Sequence, residues 1–194
     1  MKSFELQGTA RTIAARSSEQ ARALKALRKN KNVPCVLYGG AENINFSVTT
    51  EGLRKLVYTP HIYVVHLMID GVQHNAIMKE IQFHPVKDTI LHVDFLEINE
   101  EKPIVMEVPL KLQGLAEGVK AGGKLQQQMR KLKVKALYTA IPEMLPVDVT
   151  ALGLGKAIKV ADLNYEGLEL INPKSAVVCT VKATRAAMQA AAGK

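Results

Sequence analysis

Tryptophan is absent from this sequence of 194 residues and only nine residues are phenylalanine or tyrosine. An array of large aromatic platforms for stacking bases is therefore excluded. The two cysteines, Cys35 and Cys179, sit far apart inside apolar runs. Neither a disulfide framework nor a zinc knuckle fits that spacing, and both read as small buried hydrophobes. No apolar run approaches the roughly 20 residues that span a bilayer, and Met1-Lys2-Ser3-Phe4-Glu5 lacks the apolar stretch of a secretion signal. The expectation is a cytoplasmic protein without a membrane partner. A complete Gly-x-x-x-x-Gly-Lys-Ser/Thr phosphate loop is missing, since Leu125 follows Lys124 in the one stretch with that glycine spacing; internal repeats are missing as well, and nothing calls for a cofactor or a small-molecule substrate.

The absence that carries most information concerns charge. No Asp or Glu occurs between Glu19 and Glu42, and residues 1 to 41 hold eight Lys or Arg against two acids, six of the formal +8. A basic segment that runs straight into the apolar stretch Val33-Pro34-Cys35-Val36-Leu37-Tyr38 is how a folded domain presents cations to a phosphate backbone. The ordinary alternative is the solvated face of a short helix. Composition alone leaves these two readings about even.

The rest of the N-terminal half reads as strands with two helical interruptions. Phe4, Leu6 and Gly8 alternate with Glu5 and Gln7, the period of a half-buried strand. Ser17 or Ser18 is placed to cap a helix whose apolar positions are Ala21, Leu24 and Leu27, leaving Arg22, Lys25, Arg28 and Lys29 outward. Pro34 closes that helical stretch and opens the next strand. A second short helix follows Thr49-Thr50 through Leu53, Leu56 and Val57. Asp70-Gly71 lies between two strand-like runs, the signature of a type I′ hairpin. That turn pairs Ile69 with Val72, Leu67 with His74 and His66 with Asn75, and puts Tyr63, Val65, Leu67, Ile69, Val72, His74, Ala76 and Met78 on one, largely core face.

Five histidines (His61, His66, His74, His84 and His92) fall in one stretch, a pattern that sometimes binds zinc or iron. The hairpin register sets His66 and His74 on opposite faces, so no metal site is expected. Within Ile90 to Phe95, alternation gives Leu91, Val93 and Phe95 one face and His92 with Asp94 the other. Such a pair is often an idle solvent-facing couple. It is also suited to recognition, since His offers a donor and an acceptor and Asp accepts from base amino groups or a 2′-hydroxyl.

Asn99-Glu100-Glu101-Lys102-Pro103 marks a boundary. The expected division is residues 1–98, residues 99–183 and an alanine-rich tail at 184–194, helical or frayed. Beyond the boundary, strands are expected at Ile104 to Leu112, Arg130 to Leu137 and Ser175 to Val181. Glycines and prolines punctuate the segments between them. Lys120, Lys124, Arg130, Lys131, Lys133 and Lys135 are free to meet RNA, a neighbouring protein or water.

Arg11, the strand Val33 to Gly39, Gln82 with His84-Pro85, and His92-Val93-Asp94-Phe95 together resemble the bacterial ribosomal large-subunit protein twenty-five family. Val108-Pro109-Leu110, Gly118 to Gly123, Ile141-Pro142-Glu143 and Val147-Asp148-Val149 resemble its long form, the general stress protein CTC. The resemblance runs from about residue 3 to about residue 181. It implies a mainly β (α+β) protein: an N-terminal six-stranded β-barrel with short helices, similar to the anticodon-binding domain of glutaminyl-tRNA synthetase, and a largely β C-terminal domain. It also implies binding to 5S ribosomal RNA in the central protuberance of the large ribosomal subunit, beside neighbouring ribosomal proteins. The RNA-contacting residues it implies are Arg11, Lys25, Arg28, Tyr38, Gln82, His92 and Asp94. Two rival readings stay open at this point: an RNA-acting hydrolase using His92 and Asp94, and a stress factor that binds RNA off the ribosome.

Overall fold

A computed structural model describes residues 2–12 and 17–184, apart from the side chain of Ser17. The Ser17 half of the expected cap and most of the alanine-rich tail lie outside the described residues. The chain divides into two compact units, Met1–Lys102 and Pro103–Lys194. No helix among the described residues is long and apolar enough to cross a membrane.

The first unit runs β1 (Lys2–Ala10), α1 (Ser17–Lys29), β2 (Asn32–Tyr38), β3 (Ile44–Thr49), α2 (Thr50–Val57), β4 (Tyr63–Ile69), β5 (Val72–Phe83) and β6 (Ile90–Glu97). The six strands close into a barrel in the order β1-β3-β2-β6-β5-β4. β1 runs parallel to β4 and β2 parallel to β6, whereas the other neighbours are antiparallel. A barrel this narrow has room inside only for side chains. Val33, Cys35 and Leu37 from β2, Phe46 and Val48 from β3, and Val93 and Phe95 from β6 fill it. Phe46 and Phe95 lie 5.7 Å apart between ring centroids at its centre. Thr49 caps α2 by accepting from the Gly52 N–H, and the helix buries Leu53 and Leu56 in the same core.

The hairpin has the expected register, with Ile69 opposite Val72, Leu67 opposite His74 and His66 opposite Asn75. Asp70 at φ 47° and Gly71 at φ 88° supply the two positive dihedrals of the turn. Four expectations need correction. Ala21 of α1 is exposed, and Leu24 and Leu27 are half-buried. Val72 is 57% exposed at the hairpin tip rather than part of the core. Pro34 does not open β2 but lies within it, one residue before β2 begins to pair with β6 at Cys35. Ile90, not Leu91, takes the inward position at the start of β6, because Gln82 pairs with His92 and Phe83 with Ile90, so that Leu91 is bulged out of the ladder.

The second unit holds β7 (Ile104–Gln113), α3 (Glu117–Lys120), β8 (Lys124–Gln127), β9 (Lys131–Ala136), β10 (Leu145–Asp148), β11 (Ala157–Lys159), β12 (Glu169–Leu170) and β13 (Val177–Lys182). They form a four-stranded sheet, β10-β7-β9-β12, and a three-stranded one, β11-β13-β8. The three strands expected here are present, and the four short ones (β8, β10, β11 and β12) were not anticipated. β10 contains Pro146 yet is a strand, because it lies at a sheet edge where a missing N–H is tolerated. Lys131, Lys133 and Lys135 alternate outward along β9, and Lys135 pairs with Glu169 at 3.3 Å.

Candidate nucleic-acid interface

The outer wall of the barrel over β2, β6 and β5 brings four of the sequence-derived residues together. Gln82 is directly opposite His92, Asp94 is flanked by Val36 on one side and Glu80 on the other, and Tyr38 follows one strand over opposite Leu96. A bulge produces this arrangement. Met78 pairs with Phe95 and Glu80 with Asp94, so Lys79 is the extra residue and the inward phase of β5 switches from even to odd numbers. Ala76 and Met78 pack on the core before it, as does Ile81 after it, whereas Gln82 is exposed. Two bulges, at Lys79 and Leu91, therefore bracket the patch and aim its side chains.

Its electrostatics are those of a donor-seeking surface. Asp94 Oδ1 accepts the Nδ1 proton of His92 at 2.7 Å, with the two side chains 29% and 23% exposed. In the neutral ring this leaves Nε2 as an outward acceptor. Burial, then the carboxylates of Asp94 and Glu80, push the Tyr38 phenol above its ordinary value, so its hydroxyl stays protonated and able to donate. Burial likewise pushes the Cys35 thiol up to about 12, against a lowering influence from Arg11 and with a further rise from Asp94. Cys35 is thus an inert core residue directly behind the patch. Arg11, at the end of β1, is within electrostatic reach of the same spot. Its backbone N–H donates to the Asn45 carbonyl at 2.9 Å, and its buried Nε has no hydrogen-bond partner among the described residues.

Lys25 and Arg28 do not belong to this wall. They line an open-sided cleft of about 970 Å³ at the barrel end where α1, α2 and the β5–β6 loop meet. Arg28 is also part of the scaffold, because its Nε and Nη2 both donate to the carbonyl of the bulged Leu91, at 3.2 and 3.0 Å. The seven residues accordingly fall into a wall of Tyr38, Gln82, His92 and Asp94 with Arg11 at its margin, and a basic cleft holding Lys25 and Arg28.

Besides His92, three more of the five histidines have partners of their own, whereas the buried His61 Nδ1 has no hydrogen-bond partner among the described residues. His66 Nδ1 meets Asn75 Oδ1 at 2.7 Å, and His74 Nδ1 meets Glu97 Oε1 at 2.9 Å. His84 Nδ1 accepts from the N–H groups of Val86 and Lys87, each at 3.2 Å, and so shapes the β5–β6 loop. Among the described residues no group of three or more His, Cys, Asp or Glu is placed to hold a metal ion.

Residues 7–95 match the Ribosomal L25p family, and residues 103–185 match the C-terminal domain of ribosomal protein TL5. The chain belongs to the ribosomal L25p family. It is 72% identical over 192 residues to the large ribosomal subunit protein bL25 of Bacteroides fragilis, covering 99% of this chain and 98% of that one. The protein of the same name from Bacteroides thetaiotaomicron shows the same identity and coverage, and that of Porphyromonas gingivalis is 55% identical over 196 residues with both chains fully covered. The L25p family is a family of structural, non-enzymatic proteins, which removes the hydrolase reading of His92 and Asp94.

Within this L25p barrel, sequence reasoning missed Glu80 on the wall, and Lys31, Arg54, Tyr58 and Lys87 in the cleft. Lys31 lay inside the acid-free window and was the most accessible of these. Arg54, Tyr58 and Lys87 come from α2, its C-cap and a loop, whose approach to α1 leaves no trace in residue order.

Proposed function

We propose that this chain is a structural constituent of the large ribosomal subunit, working in the cytoplasm, and that its barrel binds 5S ribosomal RNA in the central protuberance. The relatives' name supports the assembly. The observation that carries the RNA reading is the division of labour on the barrel: a wall with Asp94, Glu80, His92, Gln82 and Tyr38, beside a cleft rimmed by cations. Bare phosphate is repelled by the paired acids of the wall, whereas donors such as guanine amino groups and 2′-hydroxyls suit them. The cleft supplies the sequence-independent attraction that holds the RNA in register. Residues 1–98 form the RNA-binding domain in this reading, and residues 99–183 contact neighbouring ribosomal components.

Binding of labelled 5S RNA and of an unrelated structured RNA, each measured from 50 to 200 mM salt, tests the assignment. With roughly six phosphate contacts, affinity falls about a thousandfold across that range. Asp94→Ala costs about 1 to 3 kcal/mol on 5S RNA and leaves the salt slope nearly intact. An equal loss on the unrelated RNA, or a flat salt response, overturns the reading. Sedimentation of cell extracts addresses the stress-factor alternative, since a ribosomal constituent co-migrates with large subunits.

A further inference from the structure

The cleft at the barrel end is more strongly built than a helix face with solvated lysines. Four of its cations come from α1: Arg22, Lys25, Arg28 and Lys29. Lys31 joins them from the α1–β2 turn, Arg54 from α2 and Lys87 from the β5–β6 loop, so that three separate parts of the fold converge on one concavity. Only Glu51 and Asp88 oppose them. Neither is ion-paired to any cation of the rim among the described residues. A concave surface with unneutralised cations on a low-dielectric wall focuses positive potential far more than a convex helix face does.

Two backbone details point the same way. Lys31 has φ 58° and Asp88 has φ 50°, a left-handed conformation that glycine or asparagine adopts at lower cost than lysine. Lysine adopts that conformation at greater cost than glycine, and it sets Lys31 on the rim of the cleft. Lys87 is held by a built loop, its N–H donating to His84 Nδ1. The floor, by contrast, is apolar: Ala26, Val33, Ile90 and Leu91. Tyr58 stands at the edge with 62% of its surface exposed. An apolar floor, an exposed ring and a cationic rim are the components of a site for unpaired nucleotides. They do not suit a duplex, whose bases are already stacked on one another and which offers only its phosphates.

We infer that this cleft is a second RNA site, distinct from the barrel wall, that takes an unpaired RNA segment with its phosphates on Lys31, Arg54 and Lys87 and a base against Tyr58. The inference rests on the RNA-binding reading above and deepens it by naming what the cleft takes. Arg28 joins the sites: its Nε and Nη2 hold the Leu91 carbonyl at the start of β6, and the residue also lines the cleft.

Titrating the full chain with a fluorescent oligouridylate and with an RNA duplex of equal length tests this. The wild type binds the single strand more tightly than the duplex. The R54Q/K87Q variant removes two phosphate contacts, each worth a slope of about 0.7 on single strands, and so weakens oligouridylate binding about 25-fold at 0.1 M salt. Tyr58→Ala weakens it about fivefold or more without changing the salt slope. Arg54, Tyr58 and Lys87 are exposed, and unchanged melting temperatures confirm that the variants fold. Wild-type affinity in R54Q/K87Q and in Tyr58→Ala, or a preference for the duplex, overturns the inference. Failure of the parent reading looks different: 5S RNA is then bound no better than unrelated RNA, while the oligouridylate series stands.

Discussion

Replacing Arg28 with lysine separates two roles that one guanidinium fills. Among the described side chains of α1 none is fully buried, and only Gln20, Leu24 and Leu27 are partly covered, so little apolar burial holds it to the barrel. The Arg28 fork on the Leu91 carbonyl, at 3.2 and 3.0 Å, is a direct tie between α1 and β6. Leu91 is the bulged residue, and Arg28 satisfies a carbonyl that the irregular ladder leaves available. Hydrogen bonds from a charged donor are worth about 1.5 to 3 kcal/mol when buried. These are exposed, so we discount the pair to about 1 kcal/mol. Lysine keeps the charge and loses the planar fork. Arg28→Lys should therefore lower the melting temperature of a barrel of this size by about 4 °C, speed amide exchange in α1, and weaken RNA binding about fivefold with an unchanged salt slope. Arg28→Gln should add a fall in slope of about 0.9. Thermal melting, hydrogen exchange and salt-dependent binding on the three proteins decide the matter. Wild-type melting and exchange in Arg28→Lys would refute the reasoning, because Arg28 would then be a phosphate ligand and not a strut.

Two further predictions concern the barrel interior. A Cβ added at Gly8 would lie 2.7 Å from Cδ2 of the fully buried Phe46, so Gly8→Ala should cost about 1 to 3 kcal/mol in urea unfolding; a loss under about 0.5 kcal/mol would show that the Phe46 ring has room to turn. Cys35 ionises near 9.0 when unfolded and at about 12 when folded. Its contribution is fully present below pH 9 and falls as pH rises towards 12. Between pH 8 and pH 10.5 the wild type should lose about 2 kcal/mol more stability than Cys35→Ala. Parallel pH curves for the two proteins would show that the thiol is hydrated.

Much of the fold was legible because its signals are local. The Asp70-Gly71 turn fixes the pairing of β4 with β5 through two backbone dihedrals, and Thr49 declares the start of α2 through a side chain three residues from its partner. Alternation identified β1 for the same reason. β3 was missed although Ile44, Phe46 and Val48 alternate with Asn45 and Ser47. In the second unit the short strands failed differently. β12 has two residues and β11 three, too few for any period to register, and their pairing with β9 and β13 is a tertiary fact.

The candidate site divides along the same line. His92 and Asp94 could be placed on one face because they are two residues apart in one strand, and the structure joins them at 2.7 Å. Gln82 could not be placed that way. It has the same parity as Ala76 and Met78, which pack against the barrel core, so strict alternation along β5 would bury its amide without a partner. The bulge at Lys79 reverses the phase within two residues and turns Gln82 out beside His92. No residue type marks that bulge, since lysine is ordinary in an exposed strand and the extra residue is specified by the register of β6. The cleft is harder still: Lys31, Arg54 and Lys87 are separated by 23 and 33 positions and share a rim only after the barrel has closed. Charge in the sequence thus located α1, the element proposed to meet phosphate. What faces α1 across the cleft depends on where α2 and the β5–β6 loop come to rest, which is why the cationic rim exceeds the basic window that first drew attention to it.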